Sequence, residues 1–168
     1  MKFRIHPLFL LFGVLTAFTG QLLLFLIATV AAVEHECAHA FCARRMGYTL
    51  DKIVLMPYGA VISGDISGIP PKDELSVCVA GPLANGATAL LFIAVWWLYP
   101  EAYPYTEAAA YISASLFLVN LLPAYPLDGG RMLKIALRPL GEKRARIVCL
   151  SVSLLGTSKE GVGLFPRL

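Results

Sequence analysis

Charge is the scarcest property of this 168-residue sequence. Only 15% of the residues are charged, whereas 58% are hydrophobic, and the mean hydropathy is +0.71. Soluble globular domains carry about 25% charged residues. This composition therefore excludes an ordinary soluble domain and predicts a compact helical domain embedded in a lipid bilayer. The small net charge of +3 gives no reason to expect a nucleic-acid partner.

The sequence also lacks a disulfide framework. Its four cysteines, at positions 37, 42, 78 and 149, lie in or beside apolar segments and have no regular spacing. Cysteines in such surroundings are typical of reduced, buried thiols rather than of a small secreted scaffold. We therefore expect the fold to be held by packing and not by covalent cross-links.

Hydropathy predicts an all-α multi-pass membrane protein with about four spans. A bilayer core needs about 20 apolar residues per helix, so the region from residue 5 to about residue 43 suits two spans, broken near Gly20-Gln21. The first of these spans resembles a signal peptide but lacks a cleavage site, so we expect it to stay in the protein as a membrane anchor. Two further spans are predicted at about residues 75–98 and 108–122. A last apolar segment, 147–155, is too short to cross unless its basic flank is drawn in, so we expect four spans and the beginning of a fifth.

The distribution of Lys and Arg gives an independent prediction of topology. The loops near residues 20–21 and 99–107 contain neither residue type, whereas the N-terminus and the loops after the second and fourth spans are basic. Because basic loops stay on the cytoplasmic side, we expect the N-terminus and the loop after the second span to be cytoplasmic. We predict one core over residues 1–155 and a polar tail over residues 156–168.

A stretch rich in β-branched residues lies at positions 53–64, between the second and third predicted spans. Pro57 and the Tyr58-Gly59 pair interrupt any helix there, which predicts a short re-entrant hairpin of two strands. Backbone of this kind is tolerated at membrane depth only where protein buries it or water reaches it. The edge of the hairpin could accept an extended peptide as another strand. The stretch could equally be an amphipathic loop on the cytoplasmic surface.

Ionisable residues arrive together at the end of a long uncharged segment. Residues 5–33 contain no charged side chain, and Glu34, His35, Glu36 and His39 follow at once. On a helix, His35 and His39 share one face and can bind one Zn²⁺, while Glu36 is placed to activate water at that metal. Ionisable groups at membrane depth are costly and mark functional sites. The sequence therefore predicts a zinc site in the second span.

Two histidines leave a catalytic zinc site incomplete, because such sites take three protein ligands and a water. Asp128 is the favoured third ligand, since it is the only acidic residue between positions 107 and 142 and lies among prolines and glycines that can bend the chain. Cys42 is the competitor, three residues after His39 and on the same helix face. Three ligands from one straight helix rarely converge on a metal, which favours Asp128.

Three linked motifs carry a resemblance to a known family. They are HECAH at residues 35–39, AGPLAN at residues 80–85 and NLLPAYPLDGG at residues 120–130. In this order they resemble the site-2 protease family of intramembrane zinc metalloproteases. The PLDGG ending and the short N-terminal lead resemble its sporulation-type branch, which processes a membrane-tethered pro-sigma factor. Members of that branch usually continue with further spans, so we expect this chain, which matches over about residues 4–138, to be a truncated form or a catalytic core.

The resemblance implies an intramembrane zinc endopeptidase that cleaves membrane-tethered proteins, pro-sigma-factor-like or anti-sigma-like, in or near the bilayer. It implies one zinc ion per chain and membrane regulatory or inhibitory proteins as partners. Zinc would be bound by His35, His39 and Asp128, Glu36 would be the catalytic base, and Asn120 and Asn85 would lie near the substrate or the oxyanion. The alternative is a non-proteolytic membrane zinc-binding protein, namely a transporter, a sensor or an inactive scaffold. A transporter or sensor would not need Glu36.

Overall fold

The structure, a computed structural model, describes residues 2–48, 50–56, 59–64 and 69–141. Contacts between Cα atoms divide the chain into two compact units, Met1–Val119 and Asn120–Leu168. The elements, in chain order, are β1 (Lys2–Ile5), α1 (Pro7–Phe18), α2 (Leu22–Arg45), β2 (Leu50–Met56), β3 (Gly59–Gly64), α3 (Pro71–Leu98), α4 (Tyr103–Asn120) and α5 (Asp128–Ala136). The predicted apolar segment at 147–155 and the polar tail at 156–168 lie outside the described residues.

The break predicted near Gly20-Gln21 separates α1 from α2. Gly20 has a φ of +72°, a left-handed conformation that glycine adopts without strain and that commonly ends a helix. At the other end of α1, Nδ1 of His6 accepts a hydrogen bond of 3.2 Å from the backbone N–H two residues later. The ring of Phe25 lies with its centroid 5.0 Å from that of Phe9 and 6.0 Å from that of Phe12, which packs the two helices together.

A three-stranded sheet accompanies the helices. β2 and β3 pair antiparallel, with Leu55 opposite Ala60 and Met56 opposite Gly59. β1 pairs in parallel with β2, which gives the strand order β1-β2-β3. The sequence did not predict β1, because four residues at a basic N-terminus carry no local strand signal and their pairing partner is distant in the chain. The position of this hairpin relative to a membrane stays a prediction.

Within the residues that the structure describes, two helices are long and apolar enough to cross a membrane. They are α2, with 24 residues, and α3, with 28 residues. α1 is apolar but has only 12 residues, and α4 has 18. The spans predicted at residues 75–98 and 108–122 correspond to α3 and α4, whereas the total of about four crossings stays a prediction.

α2 and α3 pack against each other through small and polar side chains. The buried residues of α2 are Ala31, His35, His39, Ala40 and Ala43, and those of α3 are Cys78, Gly81, Pro82, Asn85 and Ala89. Most of these positions recur at intervals of three or four residues, which places them on one face of each helix. The interface of the two helices therefore buries the histidines predicted to bind zinc.

Tyr48 connects the segment after α2 to the first turn of α3. Its hydroxyl donates a hydrogen bond of 2.7 Å to Oδ2 of Asp73. This bond, with smaller effects of burial and of the carboxylate charge, raises the pKa of Tyr48 above its ordinary value. The raised pKa extends toward alkaline pH the range in which the phenol stays protonated and keeps its role as donor.

Candidate metal centre

The two histidines of α2 are held by two acceptors on α3, one a backbone carbonyl and the other a side-chain amide oxygen. His35 and His39 are 6% and 9% exposed. Nδ1 of His39 lies 2.6 Å from the carbonyl oxygen of Val77, and Nδ1 of His35 lies 2.6 Å from Oδ1 of Asn85. Nδ2 of Asn85 donates to the carbonyl of Ala31 at 3.1 Å, which turns Oδ1 toward His35 as an acceptor. Since both partners accept, each imidazole donates from Nδ1.

The opposite ring nitrogens face each other. Nε2 of His35 lies 3.1 Å from Nε2 of His39. An imidazole that donates from Nδ1 and carries no proton on Nε2 presents a lone pair there that can bind a metal ion. Zinc binds histidine nitrogen at about 2.0–2.1 Å in tetrahedral geometry, so two such ligands lie about 3.3 Å apart. The distance between the two Nε2 atoms is therefore close to that of two histidine ligands of one zinc ion.

Gly81 of α3 clears the space in front of these nitrogens. A Cβ atom at this position would overlap Nε2 of His39 and lie 2.7 Å from Nε2 of His35. Any side chain there would occupy the space next to the atoms that would bind the metal. The sequence analysis assigned no role to Gly81, although it lies within the AGPLAN motif, four residues before Asn85 and four after Val77. That spacing puts all three positions on one face of α3.

Asp128 is the first residue of α5 and is 8% exposed. Two glycines follow it directly. The segment before α5 folds back against the start of the helix and leaves no room for a side chain at these two positions. A Cβ on Gly129 would overlap the carbonyl oxygens of Leu121 and Leu122, and one on Gly130 would lie 2.5 Å from the carbonyl oxygen of Ala124. The sequence predicted close backbone approach here from the two glycines.

His35, His39 and Asp128 each offer a ligand atom, and these atoms all lie within 4.8 Å of one another. Over the ranges that the structure describes, no other group of three candidate ligands comes together, and Cys42 is not a member of this one. Two imidazoles and one carboxylate form a donor set that catalytic zinc sites use, with a further position for water. The residues present therefore fit zinc.

The remaining candidate residues occupy different surroundings. Glu36 is half-buried and directly follows His35 on α2, whereas Asn120 is the last residue of α4 and also half-buried. Asn85, expected near the substrate or the oxyanion, is fully buried and bonds to His35 and Ala31. These contacts suit it to positioning the ring of His35, one of the candidate metal ligands. Glu34 accepts a hydrogen bond from the hydroxyl of Thr88, one helical turn beyond Asn85 on α3.

Comparison with known proteins identifies the family of this site. The profile of Peptidase family M50 matches residues 21–105 and 100–156. The chain belongs to this family. Together with the donor set, membership confirms zinc as the predicted cofactor, and the resemblance to site-2 proteases is confirmed as well.

Individual M50 relatives are similar over much of the chain. Zinc metalloprotease MJ0392 of Methanocaldococcus jannaschii is 33% identical over 117 residues, which cover 68% of this chain and 34% of that protein. Stage IV sporulation protein FB of Bacillus subtilis is 31% identical over 137 residues, which cover 79% of this chain and 46% of that protein. The chain thus spans less than half the length of these two relatives.

A solved structure is similar over the whole chain. The Site-2 Protease from Methanocaldococcus jannaschii superimposes with a TM-score of 0.68 at 25% sequence identity, covering 100% of this chain and 95% of that one. The M50 match therefore extends from the sequence motifs to the arrangement of the backbone. It includes the helices that carry HECAH and AGPLAN.

Proposed function

We propose that this chain is the catalytic core of an intramembrane zinc metalloendopeptidase that cleaves membrane-tethered proteins in or near the bilayer. The observation that carries the proposal is the grouping of His35, His39 and Asp128, with Glu36 adjacent on a helix long enough to span a membrane. Membership of Peptidase family M50 supports the same reaction class.

The residues of the chain divide the chemistry between them. Zinc, when held by His35, His39 and Asp128, would polarise the scissile carbonyl and lower the pKa of water from about 15.7 toward about 7. The carboxylate of Glu36 takes a proton from the attacking water while the oxygen of that water forms a bond to the carbonyl carbon of the substrate. It then delivers that proton to the amide nitrogen as the C–N bond breaks. The side-chain amide of Asn120 is our candidate donor to the oxyanion.

Substrate has to reach this site in an extended form, because a helix hides its carbonyls in hydrogen bonds. β3 lies at one edge of the described sheet and packs on α2, the helix of the histidines. An extended segment could add to this edge as a further strand. We propose pro-sigma-factor-like or anti-sigma-like substrates, and the likeness to Stage IV sporulation protein FB supports the sporulation-type branch.

The proposed orientation has four crossings with the N-terminus and the loop after α2 in the cytoplasm. It rests on the alternation of basic loops with loops free of Lys and Arg. Reporter fusions are expected to place Lys72 in the cytoplasm and Tyr103 on the opposite side. An external Lys72 would contradict both the four-crossing topology and a site that opens to the cytoplasm.

Cleavage of a membrane-tethered test substrate in liposomes, with and without chelator, tests the function. Glu36→Gln keeps the size of the side chain but removes the basic carboxylate. We expect it to retain zinc and to lose at least ~10²-fold in cleavage rate at matched zinc content, because the base acts together with the metal.

Two outcomes would count against this proposal. Equal cleavage by the parent and by Glu36→Gln would show that Glu36 is not the catalytic base. No cleavage by zinc-loaded parent protein on any substrate would favour the alternative, a membrane zinc-binding protein without proteolytic activity. A zinc measurement on each preparation separates the second outcome from simple loss of metal.

A further inference from the structure

Tryptophan and tyrosine are concentrated where α3 ends and α4 begins. The sequence contains two tryptophans and seven tyrosines, and six of these nine residues lie between positions 96 and 111. They are Trp96, Trp97, Tyr99, Tyr103, Tyr105 and Tyr111. None of the nine phenylalanines lies between positions 93 and 116, although a general demand for large apolar side chains would include them. This segment, which we call the aromatic turn (residues 96–111), therefore selects rings that carry a polar N–H or O–H group.

Three of these rings pack on one another and hold the turn together. The ring centroid of Trp96 lies 4.8 Å from that of Tyr103 and 6.5 Å from that of Tyr111. Nε1 of Trp96 donates a hydrogen bond of 2.7 Å to Oγ1 of Thr106, which donates in turn to the carbonyl oxygen of Ala102 at 2.8 Å. Trp96 is half-buried. These contacts tie the end of α3 to the start of α4 and account for the inner rings.

The other three rings are exposed. Trp97 is 87% exposed, Tyr99 66% and Tyr105 86%. Tryptophan and tyrosine are usually buried to an intermediate degree in folded proteins, so three such exposures in one turn call for a partner outside the described fold. That partner has to contact the apolar part of each ring and to leave its polar tip in a hydrogen-bonding environment.

The charges around the aromatic turn favour one kind of partner. Positions 75–100 carry no charged side chain, and no Lys or Arg lies between positions 73 and 130. Interfaces between proteins are enriched in arginine together with tryptophan and tyrosine, so the lack of arginine argues against a protein partner. Tryptophan and tyrosine at the end of a long uncharged helix are typical of the layer where lipid acyl chains meet the headgroups.

We propose that Trp97, Tyr99 and Tyr105 bind this interfacial layer of a bilayer and anchor the aromatic turn in it. The proposal goes beyond the proteolytic reaction and rests only on the membrane location of the proposed function. α3 needs an anchor because its 28 residues span about 42 Å, whereas the apolar core of a bilayer is about 30 Å thick. Its length therefore does not fix its depth, which packing and interfacial rings decide. Since α3 carries Gly81 and Asn85, the anchor also holds the candidate metal centre at one depth.

Fluorescence quenching measures the location, because both tryptophans of the chain lie in the aromatic turn. The parent and Trp97→Phe are reconstituted in phosphatidylcholine vesicles whose lipids carry bromine, a quencher, either near the headgroup or near the end of the acyl chain. The difference between the two proteins gives the emission of Trp97 and leaves the inner rings intact. We expect this emission to be lost more strongly to bromine near the headgroup. Trp96, the tryptophan that remains in Trp97→Phe, should be quenched less by either lipid, because protein covers half of it.

Leu90 provides a matched control on the same helix. It is 68% exposed and lies about 10 Å from Trp97 along the helix axis, toward the middle of the bilayer. Comparing Trp97→Phe/Leu90→Trp with Trp97→Phe gives the emission of a tryptophan at position 90. Bromine near the end of the acyl chain should quench it more strongly, the reverse of the order at position 97. Circular dichroism verifies that each variant is helical.

A second set of variants tests the anchoring. Trp97→Leu/Tyr99→Leu/Tyr105→Leu keeps an exposed apolar surface but removes the polar tips, and Trp96 then reports the depth of the turn. We expect bromine near the end of the acyl chain to quench Trp96 more in this variant than in Trp97→Leu alone, because the turn sinks into the apolar core. Trp97→Leu/Leu90→Ala changes an exposed side chain without a polar tip and should match Trp97→Leu.

The outcomes distinguish this proposal from the proposed function. Quenching at position 90 without quenching of Trp97 would overturn the proposal, since water or another protein would then surround that ring. A preference at both positions for bromine near the chain end would overturn it as well, because the turn would lie in the apolar core. Unchanged quenching of Trp96 in the triple variant would overturn the anchoring role. Absence of quenching at both positions would mean that α3 does not enter the bilayer, which would also contradict the proposed function.

Discussion

The inner and outer faces of α2 and α3 follow opposite rules. The inner faces bury alanine, glycine, histidine and asparagine, while the outer faces expose large apolar side chains such as Leu23, Val30, Leu90 and Trp97. A water-soluble protein has the reverse arrangement. An apolar outside with a small and polar inside is the pattern of helices surrounded by lipid, because lipid tails do not drive leucines into a core.

This difference between the faces also explains how a polar site can exist between two apolar helices. Small residues let the two helix backbones approach closely, so a carbonyl of one helix can reach a side chain of the other. The bond between Nδ1 of His39 and the carbonyl of Val77, at 2.6 Å, is such a contact. The inner face is therefore expected to be most sensitive to substitution close to the candidate metal ligands and less so farther away, and the outer face to be tolerant.

The largest effect is expected at the third metal ligand. Asp128→Ala should release most of the zinc, about one ion per chain in the parent, because only the two histidines remain. Cys42→Ala is the control and should keep its zinc, since Cys42 does not belong to the ligand group. Metal content of the purified proteins checks both. Undiminished zinc in Asp128→Ala together with loss in Cys42→Ala would reverse the choice of ligand.

A smaller effect is expected at Asn85, which contacts His35 and is not itself one of the three candidate ligands. Asn85→Ala removes the acceptor that fixes the Nδ1–H tautomer of His35. Loss of such a partner typically lowers metal affinity or activity by about 10- to 100-fold. Competition with a chelator measures this change, and circular dichroism verifies that the helices persist.

Thr88→Val provides the comparison for that result. It removes another polar contact on α3, the one to Glu34, without touching a ligand. A purely structural role of Asn85 would predict equal losses of zinc affinity in the two variants. A role in positioning His35 predicts a clearly larger loss in Asn85→Ala.

Much of this organisation could be predicted from the sequence, because it depends on local patterns. The four-residue spacing of His35 and His39 implies a shared helix face, and the break at Gly20 follows from local turn chemistry. The choice of Asp128 used its isolation among apolar residues and the two glycines behind it. Each of these signals lies within a few residues of the feature that it predicts.

The features that escaped sequence reasoning depend on contacts between distant residues. β1 exists because residues 2–5 pair with β2, about fifty positions away, and nothing in four residues indicates that partner. Gly81 matters because of what its missing side chain leaves open beside the histidines of another helix. Asn85 was expected near the substrate or the oxyanion, which stays a prediction, whereas its bonds to His35 and Ala31 join residues about fifty positions apart.

The smallest effect is expected on the outer face, and two adjacent residues of α3 test it. Ala89 is 6% exposed, whereas Leu90 is 68% exposed. Ala89→Leu inserts a large side chain between packed helices and should lower the free energy of unfolding by about 1–3 kcal/mol. Leu90→Ala should change it by less than about 0.5 kcal/mol, as for surface positions. Unfolding in detergent micelles measures both, and a large cost for Leu90→Ala would mean that protein rather than lipid covers this face.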